Sequence, residues 1–396
     1  MEPLVYFDHS ATTPADPRVV EAMLPYFTED FGNPNSLYEL GRRAYRALEE
    51  ARERFMAGLG ANHPGEVIFT GAGTESDNTA LWGIAGTLHD RGKGNHLVIS
   101  AYEHHGVLHP AEHMAKRGYD VTYLAPREDG IIHPEDLAAA LRDDTILVSV
   151  MHGNNELGTV NDIKALAALT HERGGYFHTD AVQTIGKIPF NASELGIDAA
   201  SFSAHKIYGP KGVGALYLKK GTPFTPYIMG GGQEFKKRSG TQNVAGAQGF
   251  AKALELMLVD QASEIERLTA LRERCIDGVF ERIPNVDLNG AGSPRLPHIA
   301  NFIIKGVEGE SMLLQLDSKG IAVSTGSACS SGSLEPSHVL LSIGCPPELA
   351  HGSLRVSFGR STTEAQVDFF LEVFPPIVER LRAMSPVYAR MFGGKA

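Results

Sequence analysis

The sequence is poor in cysteine: Cys275, Cys329 and Cys345 are the only three, and they are widely scattered. That number and spacing exclude a disulfide framework and a cysteine-rich zinc site, so each thiol must be judged singly. There is also no run approaching the roughly 18–20 apolar residues that a membrane helix needs, and the opening MEPLVYFDHSATTP lacks a basic start followed by an apolar stretch. No membrane association is expected, and the expected location is the cytoplasm. No Lys/Arg run or basic repeat that would track a phosphate backbone is present. With 36 Lys and Arg against 47 Asp and Glu, the formal charge is −11, and together these exclude nucleic acid as an expected partner. No internal repeat or low-complexity linker is visible.

At 396 residues the chain exceeds the roughly 250–300 residues over which single cores grow, so two domains are expected. From about residue 66 to 220, β-rich apolar runs alternate with helical patterns: EVIFT, HLVIS, DVTYLA, TILVSV, YFHTD, AASFSA and VGALYL. This alternation predicts an α/β fold with a mostly parallel, buried sheet. Asp162 is positioned to cap a helix through Ile163, Leu166, Ala167 and Thr170, with Gly174 or Gly175 ending it. A long segment of helical period runs from Val244 to Ile283, where Pro284 stops it, and a closing helix begins with a capping box at Thr363 and Gln366. The domain boundary is expected inside the long segment.

Chemistry concentrates in two places. TGAGTESDN, residues 70–78, follows the EVIFT strand: glycines allow close backbone approach, and Thr74 at a helix start offers free N–H groups to an anion such as a phosphate. It is neither a complete GxGxxG nor a Walker motif, which disfavours dinucleotides and nucleoside triphosphates. Further on, Asp180 ends the YFHTD strand and is followed by Gln183, and SFSAHKIYGPKG brings Ser203, His205 and Lys206. A pyridoxal cofactor requires an aldehyde-binding lysine, a carboxylate that keeps the ring nitrogen protonated, and donors for the phosphate. All three classes are present.

Cys329 lies in VSTGSACSSGSLE, a Ser- and Gly-rich stretch expected to form a mobile loop, and a thiol is intrinsically very nucleophilic. Cys275 and Cys345 take the structural reading. His105, His109 and His113 fall at i, i+4 and i+8, but Pro110 is expected to interrupt their helix and no carboxylate completes a metal shell.

These segments, with YFDHSATTP, SAYEHHGVLH, HGNNELGTV, RSGTQN and LRVSFGRSTT, resemble the cysteine desulfurases of the nitrogen-fixation and iron–sulfur-assembly type over essentially the whole chain. The resemblance implies a fold-type I pyridoxal-phosphate transferase: a large cofactor-binding domain, 15–260, with a mostly parallel central sheet, and a smaller α+β domain formed by 1–14 and 261–396. It further implies Lys206 as the aldehyde-binding lysine, Asp180 at the pyridine nitrogen, and Gly73, Thr74, Ser203 and His205 at the phosphate. Thr241 would reach the phosphate from the second subunit of a homodimer. Gln183 would bond the ring oxygen, His104 would stack on the ring and move protons, and Asn155 and Arg355 would hold the carboxylate of the substrate, L-cysteine. Cys329 would take the sulfur as a persulfide and leave alanine. The sulfur would pass to an iron–sulfur scaffold protein; the chain would hold no metal of its own, although Cys329 could share a cluster with that scaffold. The carboxyl end, AMSPVYARMFGGKA, looks more like the nitrogen-fixation branch. A class-V aminotransferase and a selenocysteine lyase are the rival readings.

Overall fold

All seven apolar runs become strands of one sheet. The computed structural model describes residues 4–326 and 335–392, and Cys329 lies outside the described residues. In chain order the strands are β1 (Val5–Tyr6), β2 (Val67–Thr70), β3 (His96–Ser100), β4 (Asp120–Leu124), β5 (Thr145–Ser149), β6 (Tyr176–Asp180), β7 (Ala199–Ser203) and β8 (Gly214–Leu218). They continue as β9 (Val286–Leu288), β10 (Ile299–Ile304), β11 (Ile321–Ala322) and β12 (Ser353–Ser357). The seven-stranded sheet runs β2-β8-β7-β6-β5-β3-β4. β4, β3, β5, β6 and β7 run parallel to one another, while β8 runs antiparallel to both β7 and β2.

The inner parallel strands are covered on both faces, as the complete burial of β3, β5 and β7 shows, whereas the edge strand β4 is only partly buried. One face packs Phe55, Phe202 and Phe250 against helices Glu39–Leu59 and Val244–Val259. The other packs Leu81, Ile84, Leu97 and Met114 under helices Gly73–Asp90 and His105–Ala115. A separate cluster containing Cys275, Phe302, Phe370 and Phe374 surrounds the sheet β12-β10-β9, and Phe7 from the amino end belongs to it.

Two helix expectations change. The segment from Val244 to Ile283 is two helices, Val244–Val259 and Gln261–Arg282, because Asp260 leaves helical geometry at φ −115°, ψ 20° and serves as the cap of the second. Conversely, Pro110 does not interrupt the helix His105–Ala115. The carbonyl it leaves without an intrahelical N–H, that of Gly106, accepts the Asn78 side-chain amide at 3.2 Å. The caps at Asp162 and at Thr363 with Gln366 form as expected.

Next to the sheet edge, Glu234, Phe235 and Lys236 all have positive φ, 44°, 56° and 62°, a costly sequence for non-glycine residues. What holds the turn is the Glu234 carboxylate. It accepts Arg52 Nη1 and Nη2 at 2.7 and 2.9 Å and the backbone N–H of Phe69 at 2.9 Å, and both members of the ion pair are buried. Removing one partner of a buried pair leaves an uncompensated charge, so Glu234→Ala should lower unfolding free energy by about 3–5 kcal/mol, read as a fall in the urea midpoint. A midpoint equal to that of the natural protein would show that the pair is dispensable.

Candidate active site

The carboxyl ends of β2, β3, β5, β6 and β7 converge on a cavity of about 340 Å³, the crevice position usual for ligands of open α/β sheets. After β2 the chain turns through Gly71 and Ala72 into the helix Gly73–Asp90, whose N-cap residue Ala72 offers no side-chain acceptor. The first N–H groups of this long helix are thus available to an anion. A Cβ on Gly73 would come within 3.0 Å of Val182 Cγ2 and 3.3 Å of Ser203 Cβ, and one on Gly214 within 2.5 Å of the Ala72 carbonyl carbon, so both glycines permit the close packing of this turn. Ser203 and His205, at the end of β7, line the same wall.

Lys206 follows directly. Its Nζ donates to the carbonyls of Ser10 and Ala11 at 2.6 and 2.7 Å, so the amino-terminal segment lies across the lysine. Asp180, at the tip of β6, lines the cavity too; its Oδ1 accepts the Val182 N–H at 2.8 Å. Burial raises the Asp180 carboxyl above its ordinary range, opposed by that hydrogen bond and by the Lys206 cation. Gln183 donates Nε2 to the Ser10 carbonyl at 2.9 Å. His104 caps the helix His105–Ala115 by accepting the Gly106 N–H on Nδ1, and burial followed by the Lys206 charge brings its pKa down to about 4. His205 is brought to about 4 by the same two causes in the same order.

Arg355 projects from β12 and is 3% exposed. It donates Nη1 to the Asn155 carbonyl at 2.9 Å and Nη2 to Asp8 Oδ1 at 2.8 Å, while Nε has no partner among the described residues. Asn155 and Arg355 both line the cavity. Thr241 does not: it is exposed, although its segment is tied to the glycine turn by Arg238, which donates Nε to Glu75 at 2.7 Å. Cys329, the remaining sequence candidate, lies outside the described residues. His105 stacks on His109 with ring centroids 4.6 Å apart, and the His338 ring lies tilted against His105 at 4.8 Å.

Sequence reasoning missed Ser10 and Asp77, which also line the cavity. Both sit inside quoted motifs, YFDHSATTP and TGAGTESDN, but a short polar residue, Ser10 in a turn or Asp77 in the first turns of a helix, gives no sign of burial. Asp77 is raised well above the carboxylate range by burial and then by the nearby Asp180 charge. Glu103 is raised likewise; it accepts the Ser100 hydroxyl and, at 2.5 Å, the Met151 N–H.

An open helix start beside Ser203 and His205, a lysine and a buried carboxyl in one cavity, and glycines where a Cβ would clash make a donor set that fits a phosphorylated pyridine aldehyde. The chain belongs to the class-V aminotransferase family, whose model matches residues 5–370, and its fold is that of the fold-type I pyridoxal-phosphate enzymes. Within the family it is 53% identical to the cysteine desulfurase IscS of Dictyoglomus turgidum over 382 residues, 96% of each chain. To the IscS of Clostridium botulinum it is 50% identical over 390 residues, 98% of each. Among solved structures, a NifS-like protein superposes with a TM-score of 0.89 at 36% identity, over 96% of this chain and 100% of the other. The NifS-like protein of Rickettsia africae gives 0.85 at 30%, over 95% and 99%.

The histidines beside the cavity make a pH prediction. His152, whose N–H bonds the Asp180 carbonyl at 2.9 Å, is brought to about 4 by burial alone. The unfolded imidazole takes a proton near 6.5, the folded one only near 4, so the unfolded state binds more protons between these values. Stability from this residue is complete above pH 6.5 and is lost as pH falls toward 4. His152→Leu should therefore remove about 1.4 kcal/mol of acid destabilisation per pH unit in that window, measured as the wild-type minus variant difference in urea unfolding at pH 7 and pH 5. A difference that does not change with pH would contradict the neutral assignment.

Proposed function

We propose that the chain is a cysteine desulfurase: it takes sulfur from L-cysteine, leaves L-alanine, and holds the sulfur as a persulfide on Cys329 for delivery to iron–sulfur cluster assembly. The observation that carries this reading is the meeting of Lys206, Asp180 and the uncapped helix start at Gly73 in one cavity, in a chain half identical to cysteine desulfurases.

Pyridoxal 5'-phosphate, when bound, supplies an aldehyde for the substrate amine and a ring that accepts electrons from the substrate Cα. Lys206 Nζ would hold the aldehyde and, once displaced, take the Cα proton. Asp180 would keep a proton on the ring nitrogen, a task suited to a buried carboxyl near which Lys206 is the cation that acts on it among the described residues. The N–H groups at Gly73 and Thr74, with Ser203 and His205, would hold the phosphate. His104, held neutral by burial, accepts the Gly106 N–H on Nδ1 and so carries its proton on Nε2, where it would serve as a proton donor beside the ring. Arg355, already aimed by Asp8 and the Asn155 carbonyl, would use Nε and its remaining N–H groups on the substrate carboxylate, with Asn155 beside it. The Cys329 thiolate would attack the substrate sulfur; the Cβ–S bond breaks with its electron pair on the carbon fragment, and protonation of that fragment gives alanine.

A homodimer completes the site in this reading, Thr241 reaching the phosphate of the opposite protomer. What supports it is the exposure of Thr241 together with apolar side chains left in solvent on segments bonded to its own: Leu37 at 89%, two residues past Asn35, whose amide donates to Gln242, and Met229 at 75%, next to Ile228, whose carbonyl accepts the Ser239 N–H. The recipient is an iron–sulfur scaffold protein, and supply of nitrogenase clusters is the narrower form of this reading, resting on the carboxyl-terminal resemblance. No helix among the described residues is long and apolar enough to cross a membrane, in keeping with a cytoplasmic enzyme.

The purified protein should absorb in the visible and, given L-cysteine, release alanine and sulfide in equal amounts under reducing conditions. Cys329→Ser should keep the band and lose sulfide; Lys206→Ala should lose the band of the lysine-bound cofactor. Pyruvate from alanine with a keto acid, without sulfide, would instead establish an aminotransferase. Light scattering should give twice the chain mass, and a monomer would overturn the proposed place of Thr241.

A further inference from the structure

Behind Gln183, away from the groups discussed so far, lies a buried cation that no step above uses. Lys187 is four residues beyond Gln183 in a coiled turn, in which Ile185 N–H bonds the Ala181 carbonyl and Ile188 N–H that of Thr184. The turn is fixed at Gly186, with φ +71° and room for no Cβ, since one would meet Met257 Cβ at 2.9 Å. Lys187 is 7% exposed. Its Nζ lies 3.3 Å from Gln183 Oε1 and 3.1 Å from His298 Nε2.

We propose that Lys187 is a positioning residue, which holds the Gln183 carbonyl on its ammonium so that the Gln183 amide N–H₂ is turned toward the cavity. An ammonium has donors and no acceptor, so only the carbonyl end of the amide can face it. The opposite end then donates one N–H to the Ser10 carbonyl and keeps a second. An ionised ring oxygen on a cofactor accepts and cannot donate, so an amide turned the other way would oppose it oxygen to oxygen. His298 shares the restriction: with Lys187 as donor, its own proton sits on Nδ1, which has no partner among the described residues. Burial, then the charges of Lys206 and Arg355, bring Lys187 to about 7, so its ammonium form is held at a cost, with no carboxylate against it among the described residues, and is complete only below that pH. The inference rests on the pyridoxal reading of the cavity.

The test compares the holoenzyme with Lys187→Met, Gln183→Leu and the double variant, following the visible band of the bound cofactor and its rate of release. Lys187→Met should shift the band and speed release about tenfold, the effect of losing one buried charged hydrogen bond, with Lys187→Arg restoring the band. In the Gln183→Leu background the second substitution should add nothing, because Lys187 acts through Gln183. An unshifted band with wild-type release, or effects that add fully, would overturn the role; a purely structural lysine would give additive losses. Should Lys187→Met not fold, Lys187→Gln takes its place, since its amide accepts as well as donates and frees Gln183 to turn. Wild-type band and release in that variant would equally overturn the proposal. A natural protein without any band would refute the pyridoxal reading itself.

Discussion

The site depends on the Arg355 guanidinium. It stands on β12, donates to Asp8 in the amino-terminal segment and to the Asn155 carbonyl beyond β5, and its backbone exchanges hydrogen bonds with Ser324. A planar donor with several fixed N–H directions can join three chain segments and still keep Nε for something else; an ammonium at the same place could not hold those directions. Because the group is almost wholly buried, its charge requires these partners, and the same requirement fixes where the smaller sheet sits against the larger.

The large sheet was legible because strands buried in it are rich in apolar residues, and seven such runs stand out between helical patterns; that β8 runs against its neighbours was not legible in them. The order of elements then brings Gly73, His104, Asp180 and Lys206 to one edge, so motifs far apart in sequence meet by topology. The break at Asp260 was not legible: the helical period continues through it, and one residue leaving helical geometry changes direction without disturbing the pattern. The helix through Pro110 was misjudged for a tertiary reason, since the donor that satisfies Gly106 comes from Asn78 on another helix. Ser10, Asp77 and Lys187 were passed over because type alone marks each as a surface residue, and only packing makes it buried.

Burial is the first cause of nearly every perturbed group around the cavity. It raises Asp77, Glu103 and Asp180, lowers His104, His152 and His205, and lowers Lys187. The common effect is to disfavour the charged form of each group, while Asp180 at about 6 and Lys187 at about 7 still ionise near neutral pH. A site of this kind gains most from a bound molecule that carries both an anionic and a cationic end, since each end meets a partner whose ionisation it stabilises. Perturbation of this density in one crevice is the pattern expected of chemistry.

β1 pairs in parallel with β11, Val5 beside Ile321, and Phe7 packs in the cluster built by the closing helices. The residues just beyond, Ser10 and Ala11, hold Lys206. One short segment is thus anchored at both ends, to β11 on one side and through Thr13 and Asp16 to the His205 and Tyr208 carbonyls on the other, so a shift of the smaller sheet would be felt at the lysine as a pull on its two carbonyl partners.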